Sequence, residues 1–131
     1  MARLNDHVAL SETLHADMRR ASNAGEWPIV VDAGFYSVFH GIEAVNALEC
    51  RDTYSFADFA DILETILPTR GFSDEFVADY RYLFYFRRGA IYGAHEPSPA
   101  QIEEYERRVE RSLVALQAYL NRPENKSLAS A

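Results

Sequence analysis

The 131-residue sequence has one cysteine, Cys50. It cannot close an internal disulfide, so packing must hold the fold, and a reducing compartment suits it. Cys50 itself reads as a small side chain near a helix end rather than as a nucleophile. No apolar run reaches the ~20 residues of a membrane span. The opening MARLNDHVAL lacks the long apolar stretch of a secretion signal. These absences point to the cytoplasm and away from membranes. Positive charge is scarce, with 13 Lys and Arg against 20 Asp and Glu and a net charge of −7. Broad electrostatic capture of nucleic acid needs a basic surface. A nucleic-acid role would therefore have to rest on a local basic site. No phosphate-cradling glycine loop, Cys-x-x-Cys pair or Ser-His-Asp arrangement is apparent, nor any repeat or linker.

What is present reads as helix. Hydrophobic residues make up 48% and charged residues 25%, enough to bury one core. Asn5 or Asp6 can cap a first helix running to Asn23-Ala24-Gly25, with Leu10, Leu14, Met18 and Ala21 as its apolar stripe. Arg19 and Arg20 sit in its last turn, where cations suit the helix dipole. Pro28 opens a second helix that is apolar on nearly every side, as a central helix must be. Gly34, Ser37 and Gly41 line one face of it and permit a close helix approach. Ser55 caps FADFADILETIL, which ends before Pro68, and TRGFS is a loop. Ser73 caps a fourth helix, with Gly93 as its stop and Pro97 just beyond. Ser98-Pro99-Ala100-Gln101 is a capping box opening the last helix, which stops before Pro123. The fold class is therefore all-α: an up-and-down four-helix-type bundle with a fifth, short helix, one domain over residues 1–122. Residues 123–131, PENKSLASA, read as a disordered tail.

Two segments, DAGFYSVFHGIEAVNAL and FRRGAIYGAHEPSPAQIEEYERRVERSLVALQAYL, together resemble the HEPN domain family. The resemblance spans roughly residues 5–121. It implies a helical bundle that pairs into a homodimer. It also implies a metal-independent ribonuclease, often a toxin of a toxin–antitoxin pair, with no cofactor. The family signature is an arginine, four to six residues, then a histidine. Arg88 and His95 meet that spacing, and Arg87 does not. The chain departs from the pattern at Gly89, where a polar residue is usual. A second branch carries Arg-x-x-Ala-Asp-Tyr, matched here by Arg87, Ala90 and Tyr92 with Ile91 in place of the acid. That branch implies a non-catalytic module that partners a nucleotidyltransferase or binds a nucleotide or other small ligand.

Arg81, Tyr85, Arg88, Tyr92 and His95 are spaced four, three, four and three, which places them along one helical face. Arginine holds a phosphate in a two-pronged grip. Histidine titrates near neutrality and can move a proton. Tyrosines can stack on unpaired bases. Arg88 and His95 are thus the catalytic candidates, and Arg81, Tyr85, Arg87 and Tyr92 the substrate-binding ones. Tyr85 and Tyr92 read first as core or dimer-interface residues, and only then as base-stacking ones. Arg81 and Arg87 equally suit partners of buried acids or plain surface charges. Phe76, Tyr80, Leu83, Phe84 and Phe86 read as core or dimer interface.

His40 and Glu43, three apart on the second helix, read in one of two ways. They are a core polar pair whose hydrogen bonds are met internally, Arg87 or Arg88 being one candidate partner, or a second layer orienting the arginine. Glu12-Thr13-Leu14-His15 matches half of a di-metal unit, but a second unit is lacking, so no metal is expected. EEYERRVERS reads as a solvated helix face with i,i+4 charge pairs.

Overall fold

The computed structural model of the chain describes residues 2–48, 59, 61–93 and 95–129. Among these residues there are six α-helices and no strand. They are α1 (Ala2–Asn23), α2 (Trp27–Leu48), α3 (Leu67–Thr69), α4 (Asp74–Tyr92), α5 (Pro99–Leu120) and α6 (Pro123–Ala129). A π-helical turn, Ile62–Ile66, leads directly into α3. The all-α expectation holds. The expected cap at Ser55 and the reading of Cys50 fall outside the described residues.

Local chemistry sets most of the boundaries. α1 ends where Gly25 adopts φ +72°, letting Gly25 N–H reach the Ser22 carbonyl and Glu26 N–H the Ala21 carbonyl. Gly71, at φ +91°, ends α3 in the same way, with Gly71 N–H on the Pro68 carbonyl and Phe72 N–H on the Leu67 carbonyl. Both positions need glycine because a side chain strains the left-handed region. Ser73 accepts a hydrogen bond from Phe76 N–H and starts α4. Ser98 and Gln101 form the reciprocal capping box of α5.

Tertiary packing moves three ends. α1 starts at Ala2 rather than near Asn5, because Leu4 is buried against Ala44 and Ala47 and fixes the first turn. Its inward face runs through Leu4, Met18 and Ala21, while Leu10, expected in the stripe, is 44% exposed. The third helical segment passes Pro68 instead of ending before it. Leu67 N–H bonds the Ile62 carbonyl five residues back, so the ladder has already shifted register where proline withholds its N–H. The segment expected to be a disordered tail forms α6. Asn125 is buried and donates Nδ2 to the Tyr119 carbonyl at 2.8 Å, which docks the turn on α5.

α2 is the central helix. Met18, Ser11 and His7 of α1 meet Gly34, Ser37 and His40 in turn, so α1 and α2 are antiparallel. Tyr80 and Arg87 of α4 meet Phe35 and Asp32, again antiparallel. Asp79 and Phe86 of α4 meet Arg111 and Tyr105 of α5. α5 therefore runs parallel to α2, with Tyr105 and Val109 beside Gly34 and Leu116 beside Gly41. This is an up-and-down order. The two glycines admit the close approach: a Cβ at Gly34 would lie 3.0 Å from Met18 Sδ and 3.2 Å from Tyr105 and Val109. Buried Tyr105 satisfies its hydroxyl on the Val31 carbonyl at 2.7 Å. Each fully buried large apolar side chain in this core contributes about 1.5–3 kcal/mol.

Charge also enters the packing. Asp79 of α4, only 2% exposed, accepts a two-pronged bond from Arg111 at 2.7 and 2.8 Å and a longer one from Arg108. The charged run on α5 is therefore more than a solvated face, though Glu104 does pair with Arg107 and Arg108 along the helix. No described helix is long and apolar enough to cross a membrane.

Candidate functional site

Helix α4 presents Arg81, Tyr85, Arg88 and Tyr92 to solvent on one face, as their spacing requires. Tyr85 is 64% and Tyr92 73% exposed, so neither is core. Phe76, Tyr80 and Leu83 are buried, and Phe84 and Phe86 pack on the core at its edge. The helix stops at Tyr92, where Gly93 turns extended and its N–H bonds the Gly89 carbonyl at 2.9 Å. A Cβ on Gly93 would collide with that carbonyl, so glycine permits the chain to fold tightly off the helix end. His95 then comes back along α4. It lines a cavity of about 250 Å³ together with Tyr85, Phe86, Gly89, Ala90, Pro97 and Gln101. His95 thus shares a cavity with the Tyr85–Ala90 stretch of α4, though Arg88 does not line it.

The three arginines of α4 have different surroundings. Arg81 pairs with Glu64 at the surface. Arg87 is held by Asp32. Arg88 is exposed and has no hydrogen bond, ion pair or ring contact among the described residues. Every other described arginine side chain has a carboxylate, hydroxyl or ring partner. Among the described residues, Arg88 is therefore the guanidinium that can meet an anion without first giving up a partner.

Arg87 turns the other way, toward α2. Its Nε donates to Asp32 Oδ1 at 2.8 Å and its Nη2 to the Tyr36 hydroxyl at 3.3 Å. The guanidinium lies 4.9 Å from the Tyr36 ring centre, 5.3 Å from Phe35 and 5.8 Å from Tyr92. Burial works to lower its pKa, but the Asp32 hydrogen bond and the neighbouring oxygens outweigh that and raise it. Arg87, Asp32, Tyr36 and Tyr92 line an open cavity of about 880 Å³ between α1, α2 and α4, with Asp17 and Arg20 on its rim paired to each other. Arg88 lines neither cavity.

Among the described residues neither His40 nor Glu43 bonds Arg87 or Arg88, so the arginine partnership and the orienting role are not found, while His40 does bond internally. His40 Nδ1 instead lies 3.0 Å from His7 Nδ1 on α1. Burial, and then His7, hold the His40 pKa below the usual histidine value. Glu43 is buried, and its Oε1 has no hydrogen-bond partner among the described residues. The burial of Tyr80 beside it pushes that hydroxyl's pKa up, and Glu43 adds to the effect. His15 Nε2 contacts Glu110 Oε1 at 2.6 Å.

Sequence reasoning missed Asp32 as the partner of Arg87. The signal was there: Asp32 is one of two acids in a predominantly apolar helix, and such an acid calls for a cation. It also missed the meeting of His7 with His40, which depends on the register of α1 against α2. Among the described residues no three His, Cys, Asp or Glu converge as metal ligands. No protein-family model matches the chain, and no curated protein sequence does.

Proposed function

We propose that this chain is a HEPN-like, metal-independent endoribonuclease that acts as a homodimer, as the toxin of a toxin–antitoxin pair in the cytoplasm. One observation carries the reading. Arg88, unpartnered among the described residues, stands between exposed Tyr85 and Tyr92, and His95 folds back along the same helix. Energetics single out Arg88. Releasing Arg87 from Asp32 would leave a partly buried guanidinium uncompensated, a loss of order 1–3 kcal/mol. Arg88 binds phosphate without that loss.

In the proposed reaction the RNA 2′-oxygen attacks the adjacent phosphorus. The P–O2′ bond forms and the P–O5′ bond breaks, giving a 2′,3′-cyclic phosphate and a 5′-hydroxyl. His95 accepts the 2′-hydroxyl proton, and the same histidine of the second copy delivers one to O5′. Arg88 holds the phosphate oxygens as negative charge builds on them. Tyr85 and Tyr92 stack on flanking unpaired bases. Arg81 keeps a supporting role at the end of the face.

The test is an RNA-cleavage assay in the presence of EDTA. The wild type cuts single-stranded RNA; His95→Ala and Arg88→Ala each cut about 10²–10⁴-fold more slowly with unchanged helical circular dichroism. Equal cutting by all three proteins would remove the assignment.

A second reading has its own observation, the cavity of about 880 Å³ around Arg87. In it the chain is a non-catalytic HEPN-like module. It takes a nucleotide or other small ligand between Tyr36 and Tyr92, or serves a nucleotidyltransferase partner. Ligand binding abolished by Arg87→Met, with no RNA cutting by the wild type, would favour this reading.

A further inference from the structure

His7 of α1 and His40 of α2 face each other with Nδ1 atoms 3.0 Å apart, a hydrogen bond in which one ring donates Nδ1–H and the other accepts. The rings are 26° from parallel with centres 5.2 Å apart, and Phe39 stands edge-on to His40 at 5.4 Å. Both imidazoles are half-buried, so each keeps a way to water. The bond needs a free lone pair on one Nδ1. A first added proton sits on Nε2 of the donor ring and leaves that lone pair in place. A second consumes it and sets two N–H groups and two positive charges face to face. The pair is therefore bonded when neutral or singly charged, and repelled when doubly charged.

The place of the pair gives that change a consequence. The first two turns of α1 rest on a small apolar cluster of their own. Leu4 is buried there with Ala44 and Ala47, and Val8, Leu48 and Leu120 pack beside them. The rest of α1 is anchored elsewhere. Ser11 donates its hydroxyl to the Ser37 carbonyl at 2.7 Å. Met18 and Ala21 lie in the main core, and Glu110 of α5 engages His15 and Arg19. The start of α1 can thus part from α2 while the remainder stays packed.

We propose that the His7–His40 pair is an acid-released clip: double protonation frees the first two turns of α1 and uncovers the Ala44/Ala47 face of α2. Among the described residues, His7 is the titratable neighbour that acts on His40. Neither Asp6 of α1 nor Glu43 of α2 bonds either ring there, and Glu110, the acid of α5 that reaches α1, is engaged with His15 and Arg19. Burial, and then His7, hold the folded His40 below the ordinary histidine value. The clip therefore stabilises fully above about pH 6.5, and that contribution is lost as pH falls from there through the lower folded value. The proposal stands apart from RNA cleavage, because neither histidine belongs to the Arg88/His95 face.

The test is hydrogen–deuterium exchange of the full chain at about pH 7.5 and about pH 5, on either side of histidine titration, corrected for the intrinsic pH dependence of amide exchange. The amides of residues 6–11, whose carbonyl partners lie in the first two turns, should lose protection about tenfold or more at the lower pH. Those of residues 105–119 should keep theirs. His7→Asn places an amide where Nδ1 stood and cannot take the second proton, so its α1 protection should not change with pH. No loss in the wild type, or an equal loss in His7→Asn, would overturn the clip. If His7→Asn leaves the segment unprotected at both pH values, the wild-type imidazole NMR titration decides. Two separated steps support the clip, and a single shared step near the ordinary value overturns it.

Discussion

Arg87 Nε lies 2.8 Å from Asp32 Oδ1 and fastens the fourth helix to the central one across a 55-residue separation. The arginine side chain is 15% exposed and the aspartate 50%. Removing the cation leaves a half-exposed acid beside Phe35 and Tyr36. Arg87→Met should therefore cost about 1–2 kcal/mol, less than the 3–5 kcal/mol of a fully buried pair. Arg88→Ala should change stability by less than about 0.5 kcal/mol. Urea unfolding of the two variants measures both, and equal losses would show that the two arginines are held alike.

Asp79 is the more deeply placed acid, gripped by Arg111 and Arg108. Asp79→Asn should destabilise by about 2–4 kcal/mol, because the arginines keep their charge while the buried acceptor loses its own. The same urea measurement applies, and a loss below that of Arg87→Met would contradict the ranking by burial.

The glycines should respond with opposite signs. Gly89 lies in the exposed body of α4, and a Cβ added there would meet no atom within 4 Å, so Gly89→Ala should stabilise by about 0.5–1 kcal/mol. Gly34→Ala would press on Met18, Tyr105 and Val109 at 3.0–3.2 Å. Overpacking of order 1–3 kcal/mol outweighs the helix-propensity gain there. Thermal melts of the two variants should move in opposite directions.

Acid should weaken the α1–α5 contact. Burial tends to raise the Glu110 pKa, but the hydrogen bonds from His15 and Arg19 prevail and hold it below the usual glutamate value. A carboxylate depressed in the folded state stabilises fully above its unfolded pKa, near 4.3–4.5. That stability is lost as pH falls from there through the lower folded value. Tm of the wild type should fall below about pH 4.5, and Glu110→Gln should lower Tm at pH 7 while flattening the acid-side slope. An unchanged slope would exclude Glu110 as a contributor.

If the exposed face of α4 holds single-stranded RNA, Tyr85→Ala and Tyr92→Ala should each weaken binding by about 1–3 kcal/mol. Their melting temperatures should hardly move, since both rings lie largely in solvent. Fluorescence anisotropy with a labelled oligonucleotide gives the first quantity and a thermal melt the second. A large drop in Tm with unaltered RNA affinity would instead assign the rings to packing.

Much of the helical order follows from residues close in sequence. Gly25, Ser73 and the Ser98–Gln101 box set ends because caps and left-handed turns are settled within four or five residues. The exposed stripe on α4 follows from the 3.6-residue period, which needs no partner to be read. The tail and Pro68 escaped the same reasoning, because what decides them is a docked Asn125 and a re-registered ladder.

By itself, the sequence determined that the chain is helical, that α2 lies at the centre and that Arg81, Tyr85, Arg88 and Tyr92 share a face. Only the tertiary structure decided that Arg87 belongs to Asp32 and Arg88 to solvent, that His40 answers to His7, and that His95 returns along α4. Those outcomes depend on how far one helix slides and turns against another. A shift of one residue rotates a side chain by about 100°, and that register is set by the whole core rather than by any local pattern.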